Sequence, residues 1–324
     1  MSGSLINKQT DAGARVVAAD LGGTHLRVAT VCADGKVHQR AKSETPHDGG
    51  AEKIVRAVVE AARACQEGNA PLSGIAVVVP GAVNIDTGVI VKAPNLPALD
   101  GFELASALRR ELHLPAIIEN DANAAAVGEM WQGAARNRRT IVCLTLGTGV
   151  GGGIILNGEL WRGVDGAAAE IGHMCVDPFG GVPCACGSSG CLEVYASATA
   201  IVRMAREFAA RYADSSLNCT EELTARKIFD AGVKGDPLAL EVFKRMGVYL
   251  GIGVANLINI LDPEMIVIGG GVANGWPLFE SHLRQQVVER GFSRVAARVN
   301  IAPAECGDNA GLLGAARLAF DRIP

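Results

Sequence analysis

Two stretches of this chain share one layout. Residues 15–31, RVVAADLGGTHLRVATV, run from an apolar segment ending at Ala19, through Asp20-Leu21-Gly22-Gly23-Thr24, into a second apolar segment from Leu26 to Val31. Residues 140–156, TIVCLTLGTGVGGGIIL, repeat the plan, with Gly147 to Gly153 as the turn. Short apolar runs bounded by glycines read as strand, turn and strand. The two units agree in layout and not in letters, which points to a duplicated fold half. A third apolar run entering glycines, MIVIGGG at 265–271, extends the pattern.

Glycine at such turns lets main-chain amides approach an anion that a β-carbon would hold off. Gly147-Thr148-Gly149-Val150-Gly151-Gly152 satisfies G-x-G-x-x-G by letter, but that fingerprint needs a helix after the glycines. Here Ile154-Ile155-Leu156 follow, then the hairpin pair Asn157-Gly158. No G-x-x-x-x-G-K-[ST] occurs, which excludes a P-loop. What remains is a set of hairpin turns able to face phosphates. Asp20 directly precedes the first turn. It is placed either to hold Mg²⁺ through water or to cap the turn.

Helical and strand signals fill the rest. Apolar positions 54, 58, 61 and 65 mark one face of a helix over 51–66. GIAVVV at 74–79 is a buried-type strand stopped by Pro80-Gly81, residues 101–112 read as a helix, and Ala116 to Ile118 as a strand. Asp236-Pro237 opens a helix that runs to Asp262-Pro263, with Gly247, Gly251 and Ala255 forming a small-residue packing face. A last helix covers 309–321. No low-complexity linker divides the chain, so any domain boundary is a crossover.

With 324 residues, 49 % hydrophobic and 20 % charged, the chain is globular and long enough for two domains. A net charge of −4 opposes broad electrostatic attachment to nucleic acid or membrane. The first fourteen residues lack the basic-then-apolar plan of a signal peptide, and no apolar run is long enough to cross a bilayer. A cytoplasmic location is expected. Cysteines at 32, 65, 143, 175, 219 and 306 are scattered, which fits free buried thiols in a reducing compartment. Against that background CACGSSGCLE at 184–193 is an outlier, with three cysteines in one short loop.

DLGGT at 20–24, ENDANAAAVGE at 119–129, LGTGVGGGI at 146–154, EIGH at 170–173 and CACGSSGCLE at 184–193 resemble, in order and spacing, the ROK family of sugar kinases and repressors. GDNAGLLGAA at 307–316 resembles the family's C-terminal end. The resemblance implies an actin-like (ribonuclease H-like) ATPase fold, with two α/β domains flanking a cleft. The small domain would take 1–121 with the terminal helix 310–324, and the large domain 122–309 with a zinc loop.

The family's site residues carry over one by one. Asp121 is implied as the catalytic base. Read alone, it opens an alanine-rich helix where Asn and Asp also serve as N-caps. The helix N-terminus favours its ionised form, which phosphoryl transfer tolerates because the base mainly orients the hydroxyl and takes its proton late. Asn95, Asn120, Asp121, Glu170, His173 and Glu193 are implied sugar contacts, although Asn95 could merely satisfy its loop. Asp20, Gly22, Gly23, Thr24, Gly147, Thr148, Gly149, Gly270 and Gly271 are implied for ATP and its phosphates, with Mg²⁺ at Asp20 through water.

His173, Cys184, Cys186 and Cys191 form a Cys₃His set suited to structural Zn²⁺, although C-x-C departs from the usual C-x-x-C spacing. The zinc would hold His173 and Glu193, leaving the second His173 nitrogen for the sugar. The implied activity is transfer of the ATP γ-phosphate to a hexose, glucose first, with N-acetylmannosamine or N-acetylglucosamine as alternatives. Polyphosphate and ADP stay open as donors, and a homodimer is the family's default. The rival class is a non-catalytic sugar-sensing repressor. Such proteins carry a DNA-binding segment ahead of DLGGT, for which the 19 residues before Asp20 are too few.

Overall fold

The computed structural model describes residues 13–66, 71–219, 222–292 and 298–323; the first twelve residues, on which the absence of a signal-peptide plan was read, lie outside them. The chain forms two compact units. One comprises the described residues through Cys143, Gly153–Ala169 and the segment from Glu305 onward; the other comprises Leu144–Gly152 and Glu170–Ala304.

The first unit is built on strands β1 (Arg15–Leu21), β2 (His25–Cys32), β3 (Val37–Glu44), β4 (Gly74–Val79) and, beyond a small hairpin of β5 (Ala82–Asn84) and β6 (Val89–Lys92), β7 (Ala116–Asn120). Their order is β3-β2-β1-β4-β7. The DLGGT turn joins β1 to β2 as an antiparallel hairpin, while β1, β4 and β7 run parallel. All six residues of β4 are buried, as its unbroken apolar run requires of a central parallel strand. Polar, largely exposed β3 is an edge strand with no apolar alternation to announce it.

Helices α1 (Gly50–Ala64) and α2 (Leu104–Leu112) cover one sheet face over Val17, Ala19, Ile75 and Val77. Ile54, Val58 and Cys65 of the expected stripe are buried. The other face carries α3 (Asp121–Gln132) and the C-terminal helix Ala310–Arg322, which lies across β1, β2 and β4.

The second sheet has the order β10-β9-β8-β11-β12, from β8 (Ile141–Leu146), β9 (Val150–Leu156), β10 (Glu159–Leu160), β11 (Met265–Gly269) and β12 (Asn300–Pro303). Its glycine turn is shorter than the sequence implies: only Gly147 to Gly149 form it, and Gly151 to Gly153 belong to β9. A Cβ on Gly153 would stand 2.6 Å from the Ala126 Cβ and 2.8 Å from the Ala122 carbonyl, so this glycine serves close packing on α3. Asn157 and Gly158 both take positive φ, 54° and 84°, as the expected hairpin pair does.

The helix Pro237–Leu261 begins and ends where expected, the Asp236 carboxylate accepting the Leu238 and Ala239 amides. Its small residues meet the helix Trp276–Arg290 backbone to backbone: a Cβ on Gly247 or Gly251 would lie 2.7 Å and 2.6 Å from the Phe279 and Leu283 carbonyls. One expectation fails. Of the scattered cysteines, Cys175 and Cys219 are exposed, because both sit in irregular or 3₁₀ segments rather than in core elements.

α3 and the C-terminal helix meet backbone to backbone: a Cβ on Gly314 would lie 1.7 Å from the Ala124 carbonyl and one on Gly128 2.2 Å from the Ala310 carbonyl. Gly314→Ala is expected to cost about 2 kcal/mol or more by forcing the helices apart. Urea unfolding checks this as a lower midpoint at unchanged slope.

Candidate active site and metal centre

In the first unit β1 ends at a carboxylate. Asp20 lies opposite Arg27 in the β1–β2 register, and the Arg27 Nη1 stands 3.6 Å from Asp20 Oδ2 and 3.8 Å from Asp308 Oδ1. Burial holds the Asp20 carboxyl above the usual carboxylate range, Arg27 opposes that, and Asp308 adds to it. Two carboxylates against one guanidinium leave net negative charge, which suits a hard dication shared with phosphate oxygens. Asp308 was missed in the sequence. Its signal was its place in GDNAGLLGAA, just ahead of the last helix.

The adjoining turn is held by its own backbone. The Gly22 amide donates to the His25 carbonyl at 3.0 Å, and the Thr45 hydroxyl donates to the Gly22 carbonyl at 2.7 Å. The missing side chain of Gly23 makes room for Asn95, whose Cβ would be 3.0 Å from a Cβ placed there. Asn95 is exposed beside the turn.

At the β7–α3 junction the two readings of Asp121 separate. Asn120 is the N-cap: its Oδ1 accepts the Asn123 amide at 3.0 Å and its Nδ2 donates to the Gly81 carbonyl at 3.1 Å. Asp121 is the first helical residue, with its Oδ1 accepting the Ala122 amide at 2.8 Å. Asn120 is therefore the N-cap, with Asp121 holding one first-turn amide through Oδ1, and the Asn120 side-chain amide has a second N–H to offer a ligand.

Behind the pair sits Glu119, 2 % exposed. Its Oε1 accepts the Asn120 amide at 3.1 Å and Asn123 Nδ2 at 3.2 Å, while its Oε2 accepts Arg162 Nε at 2.8 Å. Arg322 lies 3.7 Å from the same oxygen. These residues were not anticipated, because nothing in the letters pairs positions so far apart.

In the second unit Glu170, Gly172 and His173 surround a 3₁₀ turn, Ile171–His173. A Cβ on Gly172 would fall 2.1 Å from the Val150 carbonyl, so the glycine of EIGH lets this turn lie directly on the start of β9. Glu170 and His173 are exposed there. The Glu193 Oε2 accepts the Val150 amide at 3.0 Å and would stand 2.3 Å from a Cβ on Gly149. Glu193 thus ties the cysteine loop to the Gly147–Gly149 turn.

Gly270 has φ 85°, and its Cβ would strike the Leu146 carbonyl at 2.4 Å. A cavity of 300 Å³ is lined by Gly147, Thr148, Gly271, Ile201, Phe229 and Asn274, among others. It brings two of the expected phosphate turns to one hollow of small-ligand size. Ile201, Phe229 and Asn274 carried no motif and were not foreseen.

The ligand atoms of His173, Cys184, Cys186 and Cys191 all lie within 4.8 Å of one another. Cys184 Sγ is 3.6 Å from His173 Nδ1, and Cys186 Sγ is 3.7 Å from Cys191 Sγ. Bonds of 2.3 Å to a central zinc place tetrahedral sulfurs about 3.8 Å apart, so the set fits that ion. Gly187 and Gly190 take the positive φ, 91° and 70°, that a tight wrap demands. Nδ1 faces the sulfurs, which leaves Nε2 for another partner. Tyr195 braces the loop: its hydroxyl donates to Asp177 Oδ2 at 2.8 Å and accepts the Val182 amide at 3.0 Å.

The first unit thus carries a glycine turn beside Asp20 and a helix-opening Asp121, and the second carries two further glycine turns and a Cys₃His cluster. The ROK family pattern matches residues 16–322, and the chain belongs to the ROK family. It is 40 % identical over 306 residues to the glucokinase of Halalkalibacterium halodurans, covering 92 % of each chain. With the glucokinase of Thermotoga maritima it shares 36 % over 314 residues, 95 % of this chain and 98 % of the other. The solved ROK family glucokinase of Streptomyces griseus, in complex with glucose and AMPPNP, superposes with a TM-score of 0.81 at 34 % identity, covering 94 % and 98 %. The fold is accordingly the actin-like ATPase fold that the motifs implied.

Removing Arg162 leaves the buried Glu119 carboxylate with the Asn120 and Asn123 donors on Oε1 and only the more distant Arg322 near Oε2 among the described residues. Arg162→Met is expected to destabilise by about 3 kcal/mol, and adding Glu119→Gln should recover part of that loss. Thermal unfolding of the single and double variants checks the pair.

Proposed function

We propose that this chain is an ATP-dependent hexose kinase whose preferred substrate is glucose. The observation that carries the proposal is Asp121. It is a carboxylate at the opening of α3 whose capping duty is taken by Asn120, in a chain with glucokinase relatives along nearly its whole length. In this reaction the sugar 6-hydroxyl attacks the γ-phosphorus of ATP, the bond to the β,γ-bridging oxygen breaks, and the Asp121 carboxylate orients the hydroxyl and receives its proton.

Asn95, Asn120, Glu170, His173 and Glu193 are assigned to the remaining sugar hydroxyls, with Nε2 of His173 as a donor. Amides of the turns at Gly22–Thr24, Gly147–Gly149 and Gly270–Gly271 are assigned to phosphate oxygens, and the 300 Å³ cavity to the adenosine. Asp20, with Asp308 beside it, would hold Mg²⁺ through water, and the ion would supply neutralising charge on those oxygens. His173, Cys184, Cys186 and Cys191 would hold Zn²⁺, which would fix the His173 tautomer and ring. Among the described residues no helix is long and apolar enough to cross a membrane; the cytoplasmic location and the homodimer are carried over from the family.

The test is ADP release from ATP and Mg²⁺ across glucose, N-acetylmannosamine, N-acetylglucosamine, fructose and allose, with zinc content measured alongside. Glucose is expected to give the highest kcat/KM. Asp121→Asn is expected to fold normally and lose about 100-fold or more in kcat. Preference for an N-acetyl sugar would move the substrate assignment. Substantial turnover by the folded variant would remove Asp121 as the base.

A further inference from the structure

Cys175 is a thiol at the zinc loop that the ligand set does not use. It is exposed and stands opposite Cys191, a proposed ligand, in an isolated antiparallel bridge. The Val176 amide donates to the Gly190 carbonyl at 2.8 Å and the Leu192 amide to the Met174 carbonyl at 2.9 Å. The hydrogen bonds therefore flank the two cysteines, which form a non-hydrogen-bonded pair. In such a pair the Cα atoms approach to about 4.5 Å with both side chains on one face. That separation lies within the range of about 4.4–6.8 Å that a disulfide spans. The register is pinned, since a Cβ on Gly190 would meet the Asp177 carbonyl at 1.9 Å and the strands have no room to slip.

We propose that Cys175 is an oxidant-reactive site that pairs with Cys191 in a disulfide on exposure to a hydroperoxide, and so dismantles the metal centre. The sulfur of Cys175 attacks one peroxide oxygen and the O–O bond breaks. Cys175 becomes a sulfenic acid, and its thiol proton leaves with the departing oxygen as water. The Cys191 thiolate then attacks the sulfenic sulfur, the S–O bond breaks, and the hydroxide released takes a proton from solvent. Two thiol sulfurs have lost two electrons, and one hydrogen peroxide has become two waters. Cys191 is withdrawn from the ligand set, leaving His173, Cys184 and Cys186. Cys175 reacts first because it is exposed and unligated, whereas the ligand thiolates are engaged by the ion.

This inference rests on the zinc assignment, and the experiment separates the two. The full chain as purified is assayed for zinc and treated with hydrogen peroxide. Zinc release is followed with a chromogenic chelator, and disulfides are mapped by non-reducing peptide analysis in wild type and Cys175→Ser. The expected result is one zinc per chain and release that coincides with a linked Cys175–Cys191 peptide reversed by dithiothreitol. Cys175→Ser should release zinc about 10-fold more slowly. A linkage between Cys186 and Cys191, or equal release from the variant, would overturn the role of Cys175. Protein without zinc would overturn the metal assignment, and the disulfide map would then still decide the pairing.

Discussion

The first unit depends on how closely two helices can approach. Gly128 and Gly314 bring α3 and the C-terminal helix to contact between backbone atoms, at positions where any side chain would collide with a carbonyl. Gly311, in the first turn of the C-terminal helix, places its backbone over Asp20, where a Cβ would lie 3.6 Å from the carboxylate. One tight crossing therefore sets where Asp121 opens α3 and where Asp20 and Asp308 gather around Arg27. The buried Glu129 carboxylate reinforces it, accepting the Ala134, Glu305 and Cys306 amides and so fixing the approach to the last helix. Packing of this kind has discrete solutions, and it holds the proposed site groups where a looser interface would let them wander.

The second unit achieves the same end with chemistry rather than glycine contacts alone. Its cysteine loop is irregular chain, which needs fastening if it is to present His173 and Glu193 with any constancy. The Cys₃His set, the Tyr195–Asp177 hydrogen bond and the Glu193 contact with the Val150 amide provide the fastenings. On the proposed function, a bound zinc would shape sugar recognition by setting the His173 ring and by fastening the loop that Glu193 ties to the glycine turn.

Much of this was legible in the letters. GIAVVV, Asp236-Pro237 and Asn157-Gly158 each express a local rule strongly enough to place an element. The motifs DLGGT, ENDAN, EIGH and CACGSSGCLE pointed to the family whose pattern matches residues 16–322. The extent of the GTGVGGG turn was misread, since a glycine demanded by a neighbouring helix looks the same as one demanded by a turn. Asp308 and the Glu119–Arg162 pair stayed hidden because they depend on contacts between distant segments. Ile201, Phe229 and Asn274, which line the cavity proposed for adenosine, are ordinary residues that carry no motif and are brought together only by tertiary placement. The exposure of Cys175 was likewise a matter of tertiary position.

The most direct test of the central claim is the affinity for glucose, measured by titration calorimetry on zinc-loaded protein and on protein stripped by a chelator, with circular dichroism confirming that the stripped chain stays folded. A metal that shapes the pocket predicts a loss of about 10-fold or more in affinity on stripping, restored when zinc is returned. Equal affinity of the two folded forms would show that His173 and Glu193 hold their places without the ion, and would contradict the account.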